Sequence, residues 1–156
     1  MRWPASPGAL TIRHPLWVDN DDSTADDRLS IDRAAEELVR RGWSRRFSLN
    51  QVVNGWSSLV HLVETGYEMT IDDYTNDLRI RRWAAEVEPL LTPRVRRSFH
   101  LRLEPIDEQF RKATFEAVGR LPGAGTDHWW ETRLPLHLVG ELAEDVERMD
   151  LRPPLG

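Results

Sequence analysis

The stretch SLNQVVNGWSSLVHLVETG, residues 48–66, decides the fold class. Ser48 and Gln51 stand three apart, the spacing at which two polar side chains satisfy each other's backbone N–H groups at a helix start. Behind them Leu49, Val52, Val53, Trp56, Leu59, Val60 and Val63 recur every three or four residues and form one apolar stripe. Gly66 closes the run. Each of these side chains contributes roughly 1.5–3 kcal/mol on burial, against about 0.3–0.5 kcal/mol for an exposed ion pair one turn apart. The stretch is therefore read as a core helix. Gly55 inside it costs about 1 kcal/mol relative to Ala and suggests a close helix crossing.

Working outward, Ser30 reads as the N-cap of a helix over Ile31–Arg41, closed by Gly42. Residues 1–15, with Pro4, Pro7, Gly8 and Pro15, read as a flexible arm, and the acidic run DNDDSTADD (19–27) as a loop. On the other side Thr70 and Asp73 begin a helix predicted to reach Leu91. It has two apolar stripes, Ile71, Tyr74 and Leu78 against Ile80, Trp83, Val87 and Leu91, as a central helix would. Thr92-Pro93 restarts the chain with Val95, Phe99 and Leu103 on one face. Pro105 predicts a break, because it lacks an N–H and constrains Glu104 before it. A further helix is predicted over Pro105–Arg120, burying Ile106, Phe110, Ala113 and Ala117. Leu121–Thr126 reads as a loop, His128–Pro135 as an extended aromatic piece, and Leu136–Met149 as a final helix. The expectation is an all-α, single-domain bundle of about six helices over residues 29–150, with an N-terminal arm and linker (1–28) and a tail (151–156).

Composition limits function. The 156 residues contain no cysteine, which excludes disulfides, thiolate metal sites and a thiol nucleophile. The net charge of −5 argues against general nucleic-acid binding. Charge is banded: residues 48–78 hold only acidic charges, while 79–103 are strongly basic. Internal pairing of these bands is the simplest account. Lys112 is the one lysine beside twenty arginines, a skew that suggests a GC-rich, bacterial genome. Met1-Arg-Trp-Pro4 has no apolar core of a secretory signal, and no run is long enough to span a bilayer, so a cytoplasmic location without a membrane partner is expected.

No motif names an activity. Asp19-x-Asp21-x-Ser23 begins like a calcium loop but has Thr24 and Ser30 where glycine and glutamate belong. His100, Glu104 and Asp107 share a face only if the helix continues through Pro105, and they read as a solvated charged face. Asp73, Asp77 and Arg81 follow at four-residue spacing, and an Asp77–Arg81 ion pair is preferred to an acid–base site. There is no nucleophile elbow, phosphate loop or dinucleotide fingerprint. No catalytic residue, cofactor or metal is assigned.

What remains is recognition of another protein, one of basic character. Asp72, Asp73, Asp77, Trp129, Trp130 and Arg133 are the candidate contact residues, together with the acidic segments 64–77 and 141–150. Adjacent Trp129 and Trp130 cannot both enter one helical core, although both could staple the final helix. The leading expectation is a small acidic non-catalytic binding protein, of immunity or antitoxin type. One alternative is an enzyme with a helical pocket around Tyr67, Tyr74, Asp77 and Arg81. Another is a DNA-binding regulator using the basic cluster Arg79–Arg102.

Overall fold

The computed structural model describes residues 24–154, which are mostly helical. In chain order the helices are α1 (Ala25–Arg40), α2 (Leu49–Thr65), α3 (Ile71–Asp77), α4 (Arg79–Val87), α5 (Pro93–Lys112) and α6 (Gly140–Arg148). Short 3₁₀ turns lie at Glu88–Leu90 and Trp129–Thr132. A two-stranded antiparallel ribbon pairs β1 (Thr114–Glu116) with β2 (Arg133–Pro135), with Phe115 opposite Leu134. The chain divides into two compact units. The first takes described residues up to Gly55 plus Trp83–Pro105; the second takes Trp56–Arg82 and the described residues from Ile106 onward. The N-terminal arm falls outside the described residues.

The apolar stripe of α2 is buried along its whole length, from Leu49 to Val63, with Trp56 fully enclosed. Its start carries the anticipated reciprocal cap: the Gln51 N–H donates to Ser48 Oγ at 3.1 Å, and the Ser48 N–H to Gln51 Oε1 at 2.9 Å.

In the first unit α1 begins earlier than Ser30. Thr24 caps it through a reciprocal pair with Asp27, so the end of the acidic run forms a cap and a first turn. Carboxylates there meet the positive end of the helix dipole, an advantage that counting apolar residues overlooks. Ser30 instead donates its hydroxyl to the Asp27 carbonyl. Asp27 also receives the Thr92 hydroxyl at 2.7 Å, and Thr92 Oγ1 accepts the Val95 N–H at 3.4 Å at the start of α5. These bonds hold Asp27 below the ordinary carboxylate pKa, the Thr92 hydroxyl contributing most. Gly42 ends α1 at φ +110, a conformation glycine adopts without strain.

The two-faced helix predicted over 70–91 is two helices. The chain breaks at Leu78, where the Arg81 N–H reaches back only three residues to the Leu78 carbonyl. Ile71, Tyr74 and Leu78 are buried in the second unit and Trp83, Val87 and Leu91 in the first, while Ile80 of the second stripe stays in the second unit and is only half-buried.

Pro105 does not break α5, contrary to the sequence expectation. Pro105 and Leu101, whose carbonyl loses its partner, both lie on an exposed face where water can replace the bond. Opposite them Val95, Phe99, Leu103, Ile106 and Phe110 are buried. Their combined burial outweighs the roughly 3 kcal/mol that an interior proline costs.

Two further expectations change in the second unit. The helix predicted to reach Arg120 stops at Lys112, and Thr114–Glu116 become a strand. Leu136–Val139 are not helical, so the last helix begins only at Gly140. Both changes have one cause: β1 needs β2, a partner some twenty residues away, and the pairing extends the chain around each strand.

Candidate functional site

The acidic segments 64–77 and 141–150 come together in the second unit. The reciprocal cap of Thr70 and Asp73 starts α3, leaving Asp72 and Asp73 exposed in its first turn. The Ile71 N–H, an orphan donor at that start, is met by buried Asp145 Oδ2 of α6 at 2.9 Å. Just upstream, the Glu68 carbonyl accepts the Glu141 N–H at 2.9 Å. Gly140 lies so close that a Cβ there would sit 2.7 Å from that carbonyl oxygen, at φ +56. Tyr67 forms a parallel bridge with Leu138.

This stitching gathers exposed Glu64, Glu68, Asp72, Asp73, Glu141, Glu144 and Glu147 around one edge. None of them has an ion-pair partner among the described residues. Acids elsewhere do: Asp32 and Glu36 with Arg46, Glu37 with Arg40 and Arg41, Glu108 with Arg111. Met69 (43% exposed) follows Glu68 in this segment, and Leu136 (57%) is exposed as well. Leu136 borders a shallow 270 Å³ depression with Val63, Glu64, Lys112, Ala113 and His137. Asp77 does not share this exposure. It is half-buried, and the Tyr67 hydroxyl donates to its Oδ2 at 2.5 Å. Burial pushes the Asp77 carboxyl above its usual range, with a smaller push from Asp73, against the opposing effect of the Tyr67 bond. Burial likewise raises the hydroxyls of Tyr67 and Tyr74 well above the ordinary tyrosine pKa.

Arg81 turns away from Asp77. Its Nε and Nη2 each donate to Asp107 at 2.9 Å, and Trp56 Nε1 donates to the same carboxylate at 2.9 Å. Asp107 is thus part of a buried network rather than of a face shared with His100 and Glu104. His100 lies 3.5 Å from Glu88 and 4.0 Å from Glu104. Among the described residues no cluster of three or more His, Asp or Glu side chains is arranged to hold a metal.

The remaining candidate contact residues are engaged within the chain. Trp130 is buried, with His128 stacked at 4.5 Å and the Arg81 guanidinium 4.4 Å from its ring centroid. Half-buried Trp129 takes the Arg111 guanidinium at 3.9 Å and the edge of Phe110 at 5.9 Å. Arg133 laces the ribbon, donating to Thr114 Oγ1 at 2.8 Å, Glu116 Oε2 at 3.3 Å and two backbone carbonyls.

Sequence reasoning did not single out Glu131. It is buried, and its Oε2 accepts the Gly125 N–H at 2.9 Å and lies 3.5 Å from Arg82 Nη1. A Cβ on Gly125 would lie 2.6 Å from that oxygen. An acid enclosed by Trp-Trp-x-Thr and a glycine pair a few residues upstream were the available signals. Among the described residues no helix is long and apolar enough to cross a membrane. No protein family, curated protein or solved structure matches this chain.

Proposed function

We propose that this chain is a non-catalytic protein-binding protein that receives a basic partner on the carboxylate edge formed by Glu64–Asp73 and α6. The observation that carries the reading is the contrast in pairing: these exposed carboxylates make no ion pair among the described residues, whereas Asp32, Glu36 and Glu37 of α1 each pair with arginine. Unpaired surface charge of one sign steers a partner of the opposite sign. Exposed Met69 and Leu136 add the apolar contact that a charged rim alone lacks. Within this class, a small acidic helical bundle suits the neutralisation of a basic protein in the cytoplasm, as an immunity protein or antitoxin does. Asp72 and Asp73 are contact residues in this reading; Trp129, Trp130, Arg133 and Asp77 support the scaffold.

The test compares the native chain with a variant carrying Glu68→Lys, Asp72→Lys, Glu141→Lys and Glu144→Lys. Proteins cross-linked to the native chain in host lysate are purified and titrated by calorimetry. A basic protein that binds the native chain saturably, and the variant at least about tenfold more weakly, supports the proposal. Equal affinity for both chains, or capture of no basic protein, overturns it.

A further inference from the structure

A cavity of about 350 Å³ lies along α6 in the second unit, lined by Leu138, Ala143, Val146, Glu147, Asp150 and Arg152. Ala143, Val146 and Glu147 stand three and four apart, the spacing that puts residues on one side of a helix. Past the helix end Leu151 is buried. Its N–H donates to the Val146 carbonyl at 3.1 Å, and its own carbonyl accepts the Val118 N–H at 2.9 Å. These bonds hold its exposed neighbours Asp150 and Arg152 beside the cavity, with the Arg152 guanidinium 5.7 Å from the Phe115 ring centroid.

The lining is sorted by chemistry along the helix. Leu138 and Ala143 lie toward its start, Val146 follows, and Glu147, Asp150 and Arg152 lie at its end. Ala143 and Glu147 are about 6 Å apart along the axis. Both signs of charge meet at the far end. Glu147 and Asp150 stand where the helix carbonyls add negative potential, which favours a cation. Arg152 supplies a guanidinium, the natural partner of a carboxylate. None of these three makes an ion pair among the described residues, whereas Arg148 pairs with Asp145 at 2.8 Å. An anion alone would face two carboxylates, and a cation alone would face Arg152. A ligand with both charges at one end and an aliphatic group at the other answers the whole lining. The volume lies within the roughly 300–1,000 Å³ of small-molecule sites.

We propose that this cavity binds a free aliphatic amino acid. Its ammonium group donates to Glu147 and Asp150, its carboxylate accepts from Arg152, and its side chain lies on Val146, Ala143 and Leu138. The site is separate from the protein contact proposed above: Glu68, Asp72, Glu141 and Glu144 do not line it.

The full chain, ¹⁵N-labelled, is titrated with L-leucine while the amides of Ala143, Val146 and Leu151 are followed by NMR. Isoamylamine lacks the carboxylate, isocaproate lacks the ammonium group, and glycine lacks the side chain. Leucine shifts the three amides saturably, with an affinity at least about tenfold above that of each analogue. Arg152→Gln lowers the affinity for leucine toward that of isoamylamine and leaves binding of the amine unchanged. Asp150→Asn weakens leucine and isoamylamine but not isocaproate, and asparagine tolerates the φ of +54 at this position. Both residues are exposed, so the variants keep the fold. Absence of a saturable shift, equal affinity for any of the three analogues, or leucine binding unchanged by either substitution overturns the proposal.

Discussion

Arg81 and Asp107 face each other in a two-pronged pair, both bonds 2.9 Å, and the Trp56 indole closes on the same carboxylate. Both partners are buried, so removing one leaves a desolvated charge. Asp107→Ala and Arg81→Ala are each expected to lower stability by about 3–5 kcal/mol. The double variant Arg81→Met, Asp107→Leu recovers part of that loss, since no desolvated charge remains, the buried Trp56 N–H without its acceptor still costing about 1–3 kcal/mol. Urea denaturation of the three variants checks the ordering.

Asp27 and Asp77 place opposite slopes on the pH dependence of stability. The folded pKa of Asp27 is lowered, so its contribution is present above its unfolded value, near 3.9, and fades as pH falls through the folded value. The folded pKa of Asp77 is raised, so its favourable contribution is full below that unfolded value and is lost as pH rises through the folded one. Asp27→Asn therefore destabilises at pH 7 and less so in acid. Asp77→Asn, whose amide oxygen still accepts the Tyr67 hydroxyl, stabilises at pH 7, with the gain shrinking toward pH 4. Denaturation midpoints measured across that range decide both signs.

The cap at Thr70 separates support from recognition on the acidic edge. Thr70→Ala removes both bonds that the Thr70 hydroxyl makes with Asp73 and is expected to cost about 1 kcal/mol. Glu144→Lys, on the exposed face of α6, changes stability by less than about 0.5 kcal/mol. If the edge is a docking surface, Glu144→Lys weakens partner binding more than Thr70→Ala does, measured by calorimetry at low salt.

Gly140→Ala tests the stitching directly. The added Cβ meets the Glu68 carbonyl oxygen at 2.7 Å at a positive φ, and the expected loss exceeds about 1 kcal/mol. Amide exchange at Ile71 and Glu141 rises with it, because both donors depend on this contact.

The parts of the fold legible in the sequence were those with strong local periodicity. The α2 stripe needs only its own spacing, and its buried residues are the ones the pattern named. Leu78 shows where legibility stops: two opposed stripes announce a helix with two neighbours, but not that the helix breaks between them. Pro105 shows local chemistry losing to packing that the local pattern does not weigh. The ribbon was hidden because three-residue strands are too short to alternate, and their pairing is distant in sequence. At the candidate site, charge banding exposed the acidic segments, yet Arg81 pairing with Asp107, 26 positions away, rather than with Asp77 one turn away, depends on tertiary geometry.

Thr92 carries a consequence beyond its place in the chain. Its single hydroxyl is spent twice, given to Asp27 where α1 begins and taken by Val95 where α5 begins. Thr92→Val would therefore loosen two helix ends 65 positions apart along the chain, and their fraying would rise and fall together. One oxygen atom makes two distant starting points a single cooperative event.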